Sequence, residues 1–308
     1  MSPNRVSGAR IAVVQFDPKF CQVNENIEKA RGLCAGIAPG SVDLVCLSEM
    51  VFTGYVFPNA DSIKPFLEDP ITGPTSIFCS ELATHLRCHV VAGYPERLPD
   101  DEIEPGVDEW GNSITRVGAN SAILFGPSGE CVGKYRKTNL FETDTTWAKP
   151  GTGFATFRLP PPLNSVSLGI CMDINVQRPL DWKSIEGPYE IASHCIAENS
   201  NLLILLNAWL ESPEDIGEDH AWTTVNFWAH RLRPLWEHRE GASTDDLRDT
   251  NVIICNRTGN ENGKKFCGSS CSFRMNNSSG KPRLTHVMGK DEEGISLCDT
   301  DVVQHVFL

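Results

Sequence analysis

The strongest constraint on the fold is a short apolar run, residues 165–170, that stops at Cys171 and is followed by mostly polar residues up to Asn175. Its alternating, largely apolar pattern predicts a buried strand. In open α/β sheets the reactive groups collect at the carboxyl ends of the strands. We therefore expect the chain to form such a sheet and to present the Cys171 thiol at one strand end.

Two other runs end in the same way. Residues 42–47 are largely apolar and lead to Glu49, and residues 132–137 form a strand-like run that ends on Lys137. A single cysteine is more often a core residue, and a single glutamate or lysine is more often a solvated surface group. Because a thiol, a carboxylate and an ammonium stand at three such segment ends, we consider the hypothesis that they form one reactive site.

That hypothesis is acyl transfer. Because an apolar loop follows Glu49, its carboxylate should be partly desolvated, which raises its pKa towards that of a general base. Lys137 should point inward, since alternation places it on the same face as Tyr135. Glu49 would take the proton of the Cys171 thiol, and Lys137 and the Met172 N–H would hold the oxyanion.

The rest of the chain predicts an α/β fold. From residue 10 to residue 93 the pattern alternates strand, helix, strand, helix, strand, which is typical of helices packed on a sheet. Later runs predict two hairpins, so the sheets should be mixed. The acidic, proline-containing stretch 98–111 indicates a surface insertion. The predicted strands are 10–16, 42–47, 89–93, 120–125, 131–135, 154–159, 165–170, 201–207, 251–256, 264–273 and 301–307, and the predicted helices are 24–37 (with Asn24 as N-cap), 74–85, 189–199 and 221–235.

Composition limits the partners. The 308 residues include 27 Lys and Arg against 40 Asp and Glu, a formal net charge of −13, which argues against nucleic acid and anionic membranes as main partners. The first ten residues lack a secretory apolar region, and no run reaches the roughly 18 apolar residues of a transmembrane helix. The twelve cysteines are therefore expected to be reduced, as in a cytoplasmic or nuclear protein. Cys267 and Cys271 have no matching His or Cys pair, so we expect no metal site.

Taken together, the segments resemble the nitrilase, or carbon–nitrogen hydrolase, superfamily. The matching segments are L-S-E-M-V-F-T-G-Y around Glu49, K-Y-R-K-T-N-L-F around Lys137 and S-L-G-I-C-M-D-I-N around Cys171, with further likeness across most of residues 10–275. The resemblance implies an α/β fold, a four-layer αββα sandwich of two mixed sheets with helices outside, formed by residues 1–308 as one domain. It also implies a Glu–Lys–Cys triad made of these three residues, with no cofactor.

Two departures bear on the subfamily. Many members have His where this chain has Asn139, a change that we do not expect to remove activity. Many also have an arginine soon after the nucleophile, whereas the first one here is Arg178. Omega-amidases must hold a substrate carboxylate, so this difference counts against them. Residues 141–147 and the Cys171 segment resemble the fungal protein N-terminal amidases, which implies protein or peptide N-termini bearing Asn or Gln as substrates.

An N-terminal substrate presents an ammonium and therefore needs acidic groups. The candidates are Glu142, Asp144 and Asp173, with Trp147 as a wall and Met172 beside the nucleophile. Glu142 is also the candidate for the second acid that members of the superfamily place near the lysine. The alternatives are that Glu142 and Asp144 cap a loop and that Asp173 satisfies the backbone of a turn.

Other functions stay open at this point. Within the superfamily, the alternatives are a small-molecule omega-amidase, a carbamoylase or another aliphatic amidase. A catalytically silent binding protein on the same fold is the alternative from a different class, although a binder has no need of all three side chains. The chain is expected to be a monomer or a homodimer, and segments 98–111 and 241–250 are either lids or surface loops.

Overall fold

The structure, a computed structural model, describes residues 8–177, 179–238 and 249–301. In this part of the chain two six-stranded sheets pack face to face, and helices cover both outer faces. The layers follow the order helix, sheet, sheet, helix, which confirms the predicted four-layer sandwich with mixed sheets. That residues 1–308 form one domain stays a prediction.

The elements follow the apolar runs of the sequence. In chain order, the strands of the described residues are β1 (Arg10–Gln15), β2 (Leu44–Leu47), β3 (His89–Arg97), β4 (Glu104–Val107), β5 (Ser113–Arg116), β6 (Gly118–Phe125), β7 (Cys131–Arg136), β8 (Ala155–Arg158), β9 (Ser165–Ile170), β10 (Leu202–Asn207), β11 (Asp249–Asn256), β12 (Asn260–Glu261), β13 (Lys264–Lys265), β14 (Cys271–Asn276), β15 (Lys281–Val287) and β16 (Gly294–Asp299). The α-helices are α1 (Val23–Cys34), α2 (Ala60–Ile63), α3 (Pro74–Leu86), α4 (Glu142–Thr145), α5 (Glu190–Ala197) and α6 (Trp222–Arg231).

The first sheet has the strand order β16-β1-β2-β3-β6-β7. Strands β1, β2 and β3 are parallel, as the alternation of strands and helices predicts. Strand β6 is antiparallel to β3, and β7 is antiparallel to β6, so β7 runs in the same direction as β2. The carboxyl ends of β2 and β7, which lead to Glu49 and Lys137, therefore point to the same edge of the sheet.

The second sheet has the strand order β15-β14-β11-β10-β9-β8. Strands β9, β10 and β11 are parallel, and β8 forms the predicted hairpin with β9. Every residue of β10 is buried, because the first sheet covers one face and helices cover the other. The carboxyl ends of β9 and β10 lead to Cys171 and Ala208.

The apolar core lies in three layers. Side chains such as Val13 and Leu124 from the first sheet meet Leu168 and Ile204 from the second, while α1 and α3 pack on the first sheet and α5 on the second, with α6 beside it. A Cβ added at Gly169 would lie 2.4 Å from Ile191 Cδ1. Glycine is therefore required where α5 packs on β9, directly before the cysteine.

Several predicted details are wrong. Asn24 is not an N-cap, because α1 already begins at Val23. Residues 99–111 are exposed or half-buried, as expected of a surface insertion, but the segment also contains a strand that was not predicted, β4, which pairs with β5. The predicted strand 264–273 is divided into β13 and β14, because Gly268 and Ser269 adopt φ values of +52° that interrupt an extended run. Residues 302–307 of the predicted last strand and residues 241–248 of the predicted loop lie outside the described residues.

Candidate active site

Cys171 lies where β9 ends, at the first residue of a short 3₁₀ turn, Cys171–Ile174. Its φ of +44° falls in the left-handed region, which is uncommon for residues with a Cβ and is found more often at functional sites. The Cys171 N–H donates to Asn207 Oδ1 at 3.1 Å, which ties the turn to the end of β10. The thiol is thereby placed at the floor of a cavity, as the sequence predicts for a strand end.

The carboxylate of Asp173 holds this turn. It accepts hydrogen bonds from the Ile170 N–H and the Tyr135 hydroxyl, both at 2.7 Å, and from the Thr138 and Asn139 N–H groups at 3.0 and 2.8 Å. Burial raises the pKa of Asp173 to about 6, although these donors oppose the rise. The prediction that Asp173 binds a substrate ammonium is wrong, because the buried carboxylate is committed to the backbone of two loops.

Glu49 lies just beyond β2, where the chain passes close to β3. A Cβ at Gly93 would lie 2.6 Å from Glu49 Cα, so glycine permits this approach. Glu49 Oε1 accepts from Lys137 Nζ and Asn120 Nδ2, both at 2.7 Å, and Oε2 accepts from the Ala208 N–H at 2.7 Å. Burial raises the pKa of Glu49, and this effect outweighs the lowering by the Lys137 ammonium. The raised pKa agrees with the value expected of a general base.

Lys137 directly follows β7 and is enclosed by two carboxylates. Its Nζ lies 2.7 Å from Glu49 Oε1 and 2.6 Å from Asp144 Oδ2, and all three side chains are fully buried. The predicted inward orientation is therefore confirmed. Burial alone would lower the pKa of Lys137, but the charges of Asp144 and Glu49 outweigh it and raise the pKa. The ammonium stays charged and forms a fixed cation close to Cys171, where it lowers the pKa of the thiol.

The second acid at the lysine is Asp144, and the prediction of Glu142 for this position is wrong. Asp144 Oδ2 also accepts from the Phe141 N–H at 3.0 Å, and Oδ1 accepts from Asn120 Nδ2 at 3.0 Å. Helix α4 begins at Glu142, so Asp144 is its third residue and reaches back to the N–H group at the helix start. Glu142, the first residue, is half-buried. Asp144 is committed to Lys137, Asn120 and the Phe141 N–H, so it is not free to bind a substrate ammonium, and Glu142 does not line the cavity.

A cavity of about 490 Å³ opens above Cys171, within the range of small-molecule sites. Met172 lines it, as predicted, but Trp147 does not. Trp147 is fully buried in the core against Gly118, where a Cβ would lie 3.0 Å from its ring, so its predicted role as a substrate wall is wrong. Of the sixteen described residues that line the cavity, five are aromatic, two are acids and one is a lysine. They are Tyr55, Phe141, Cys171, Met172, Trp182, Lys183, Ala208, Trp209, Leu210, Glu211, Ser212, Pro213, Glu214, Thr223, Thr224 and Phe227.

These side chains are arranged for proton transfer followed by nucleophilic attack. Burial raises the pKa of the Cys171 thiol, and the charge of Glu49 raises it further, although Lys137 and the Ala208 N–H oppose the rise. The thiol is therefore protonated at rest, beside a carboxylate whose own raised pKa lets it accept the proton. Transfer would leave a thiolate next to the Lys137 ammonium. Among the residues that the structure describes, no cluster of His, Cys, Asp and Glu could hold a metal ion.

Sequence reasoning missed three polar residues of the site. Asn120 donates to both Glu49 and Asp144, Asn207 holds the Cys171 N–H, and Tyr55 lines the cavity. The two asparagines carried a usable signal in the sequence, because Asn207 ends a largely apolar strand and Asn120 lies near the start of another. Both are fully buried in the structure. Tyr55 carried no such signal, since an aromatic residue in an apolar loop is usually core.

Asn139, two residues after Lys137, joins the lysine loop to the nucleophile loop. Its Nδ2 donates to the Asn175 carbonyl oxygen at 3.0 Å, and its Oδ1 accepts from Gln177 Nε2. Asn139 thus supplies one donor and one acceptor between the two loops, and this side chain is buried.

Similarity to known proteins identifies the class to which this chain belongs. The chain belongs to the carbon–nitrogen hydrolase family, whose family model matches residues 10–180. Membership makes it a hydrolase that acts on the carbon–nitrogen bonds of amides. Among individual proteins, it is 35% identical to the protein N-terminal amidase of Schizosaccharomyces pombe over 309 aligned residues, which cover 93% of this chain and 97% of that relative.

Solved structures with the same fold include N-terminal amidases with bound peptides. One, with an Asn-Glu-Ala peptide, has a TM-score of 0.77 and 17% sequence identity, and another, with a Gln-Val peptide, has a TM-score of 0.76 and 17% identity. Both cover 96% of this chain and 98% of their own. In the described part of this chain, no helix is both long enough and apolar enough to cross a membrane.

Proposed function

We propose that this chain is a thiol amidohydrolase that converts N-terminal Asn and Gln of proteins or peptides to Asp and Glu and releases ammonia. The observation that carries this proposal is the buried contact of Glu49 with Lys137, 2.7 Å long, close enough to Cys171 that both groups shift the pKa of its thiol, while Cys171 itself lines the cavity. A carboxylate, an ammonium and a thiol at one site supply the base, the cation and the nucleophile of acyl transfer.

The proposed reaction has two halves. In the first, Glu49 takes the proton of Cys171, and the thiolate attacks the carboxamide carbon of the substrate side chain. Lys137 and the Met172 N–H stabilise the resulting oxyanion. Glu49 returns the proton to the departing nitrogen, ammonia leaves, and a thioester remains. In the second half, Glu49 takes a proton from water, the hydroxide attacks the thioester, and the proton returns to the Cys171 sulfur as the carboxylic acid is released.

The cavity wall supports an N-terminal substrate over an amino acid with a free carboxylate. Of the described residues that line the cavity, two are acids, Glu211 and Glu214, one is a cation, Lys183, and none is an arginine. Glu211 is already paired with Lys290 and Lys265. Glu214 is therefore the acid of this wall that can attract an α-ammonium, and the bidentate partner of a carboxylate is missing from the wall. The named relatives, which are protein N-terminal amidases, support the same substrate class. We further propose the cytoplasm or the nucleus as the location and a monomer or homodimer as the assembly.

Ammonia release from short peptides tests the proposal. We expect the wild-type protein to release ammonia from Asn-Gly and Gln-Gly peptides with free N-termini, and much less from N-acetylated peptides or from free glutamine. The variant Cys171→Ala should lose about 10⁴-fold or more of this activity, because the thioester cannot form. The matched control is Cys131→Ala, which removes the exposed cysteine and should leave the rate unchanged.

Each alternative gives a different result. Full activity of Cys171→Ala would show that the proposed mechanism is wrong. Faster hydrolysis of free glutamine than of the peptides would support the small-molecule amidase. No ammonia from any of these amides would support the binding protein.

A further inference from the structure

Tyr55 is fixed firmly at the cavity wall. Its backbone N–H donates to Glu261 Oε1 at 2.8 Å, and Glu261 is itself buried and paired with the buried guanidinium of Arg257. The preceding Gly54 has a φ of +81°, and a Cβ there would lie 2.7 Å from Glu261 Oε2. The loop that follows Glu49 is therefore held in one conformation by the Arg257–Glu261 ion pair, which lies just after β11 of the second sheet.

The ring of Tyr55 lies against the reacting groups. It packs edge-on against Phe266 with centroids 6.4 Å apart, and Lys137 Nζ lies 5.5 Å from its ring centroid. Tyr55 shares the cavity wall with Cys171 and is only 2% exposed. Ring and backbone are thus both immobilised beside the proposed nucleophile.

The hydroxyl of Tyr55 forms no hydrogen bond of normal geometry with the described residues, although the Asp144 carboxylate lies near enough to raise the pKa of the hydroxyl. A buried hydroxyl without a partner destabilises a fold; unlike other such groups, this one belongs to a residue of the cavity wall, where a substrate atom can become its partner. Burial raises the pKa of Tyr55 well above its usual value, and the charges of Asp144 and Glu49 raise it further. The hydroxyl therefore keeps its proton and can act as a donor.

The substrate carboxamide offers two kinds of partner. Its nitrogen must approach Glu49, which returns a proton to it when ammonia leaves. Its oxygen needs donors, because negative charge develops on it in the tetrahedral intermediate. The candidate donors are the Lys137 ammonium and the Met172 N–H, named above, and the hydroxyl of Tyr55, whose ring centroid lies 5.5 Å from Lys137 Nζ.

We propose that the Tyr55 hydroxyl donates a hydrogen bond to the carboxamide oxygen of the substrate and keeps this bond as the oxygen becomes the oxyanion. This inference rests on the proposed function. It makes Tyr55 a catalytic residue in addition to Glu49, Lys137 and Cys171.

The test is Tyr55→Phe with Tyr94→Phe as the matched control. Tyr94, on β3, is also a fully buried tyrosine whose hydroxyl has no partner among the described residues, but it lies in the core beneath α3 and away from the cavity. Both variants should fold with an unchanged or slightly higher Tm, since each loses an unpaired buried hydroxyl. Only Tyr55→Phe should lose kcat/KM, by about 10²-fold, with kcat carrying most of the loss because the bond strengthens in the transition state.

A second measurement does not depend on the peptide substrate. The rate of Cys171 alkylation by iodoacetamide, which carries a carboxamide, is divided by the rate of its reaction with methyl methanethiosulfonate, which carries none. Tyr55→Phe should lower this ratio and Tyr94→Phe should not.

The outcomes separate the two proposals. An unchanged kcat/KM in Tyr55→Phe would overturn the inference about Tyr55 while the deamidase function stands. A wild-type protein that releases no ammonia would overturn the deamidase function. The alkylation ratio would then test the inference about Tyr55, and an unchanged ratio in Tyr55→Phe would overturn that inference.

Discussion

At the scale of single residues, the site depends on how a buried carboxylate is balanced. Glu49 faces one ammonium, a second carboxylate and one amide: Lys137 and Asn120 lower its pKa, whereas burial and Asp144 raise it. The net rise is what suits Glu49 to exchange protons with a thiol. Asn120 bridges the two carboxylates and keeps both oriented towards the lysine.

This balance predicts two opposite shifts in the pH profile of kcat/KM. Activity requires ionised Glu49, so it is lost as the pH falls through the raised pKa of that carboxyl. Asp144→Asn removes a negative charge, stabilises ionised Glu49 and should move the acid limb to lower pH. Asn120→Leu removes a donor to ionised Glu49 and should move the acid limb to higher pH.

Absolute rates complete this prediction. Asp144→Asn should also lower kcat/KM by about 10²-fold, because Lys137 loses one of the two groups that hold it in place. Glu142→Gln is the matched control, since it changes an acid on the same short helix that contacts neither Lys137 nor the cavity, and its profile should match the wild type. Shifts of both variants in the same direction would contradict this account of Glu49.

The sequence was sufficient for some of these residues only. Cys171 and Glu49 follow apolar runs and Lys137 ends a strand-like run, so their positions follow from strand periodicity. Glu142 and Asp144 could not be told apart, because they lie two residues apart in a polar segment. Only the start of α4 decides which of them reaches the lysine. Trp147 and Tyr55 were likewise indistinguishable by residue type, since both are aromatic residues near the proposed site.

At the scale of elements, α6 fixes the segment that follows the nucleophile. The buried guanidinium of Arg231 donates to the carbonyl oxygens of Ile174, Glu186 and Pro188, and it stacks on the ring of Tyr189 at 5.0 Å. The described residues between these carbonyls include Trp182 and Lys183, which line the cavity. One side chain of a helix therefore shapes a wall of the candidate site.

Arg231→Met should destabilise the protein and loosen this wall. Removing the guanidinium leaves three carbonyl oxygens without their donor, which should lower the free energy of unfolding by about 3 kcal/mol or more. Urea unfolding measures this loss, and KM for an Asn-initiated peptide should rise. Arg233→Met is the matched control, because it changes an arginine two residues away whose ion pairs lie at the surface, and it should leave both quantities nearly unchanged. An equal effect of both variants would show that the three carbonyl contacts are unimportant.

Sequence patterns predicted the central elements better than the edges. Strands β9, β10 and β11 are covered on both faces, so they consist of long apolar runs that are easy to recognise. Strands β15 and β16 lie at sheet edges and mix polar and apolar residues, so their sequences did not stand out. The role of Arg231 could not be predicted either, because its three partners are backbone atoms of a distant segment.

At the scale of the whole molecule, the exposure of each cysteine follows from its place in the four-layer sandwich. All twelve are free; Cys131 is exposed, Cys21 is half-buried, and the rest are buried. Cys46 and Cys255 lie between the two sheets, whereas Cys171 opens onto the cavity. Their distribution agrees with the expected reduced state.

Thiol labelling of the native protein follows from this distribution. Iodoacetamide should modify Cys131 and Cys171 first, and Cys46 and Cys255 only after denaturation, as measured by peptide mass mapping. Because Glu49 accepts the proton of Cys171, Glu49→Gln should slow modification of Cys171 while leaving Cys131 unchanged. Equal rates for Cys171 and Cys46 in the native wild type would contradict a reactive thiol and support a silent binding protein.

The hydrogen bond from the Ala208 N–H to Glu49 Oε2 joins the end of β10 in one sheet to the base that follows β2 in the other. Strand β16 ends two residues before the end of the described chain, pairs with β1 and forms an edge of the first sheet. A nascent chain on the ribosome therefore holds its acid and its thiol apart until both sheets are made and docked. An incompletely synthesised chain therefore lacks the assembled site, because the acid and the thiol lie on separate sheets.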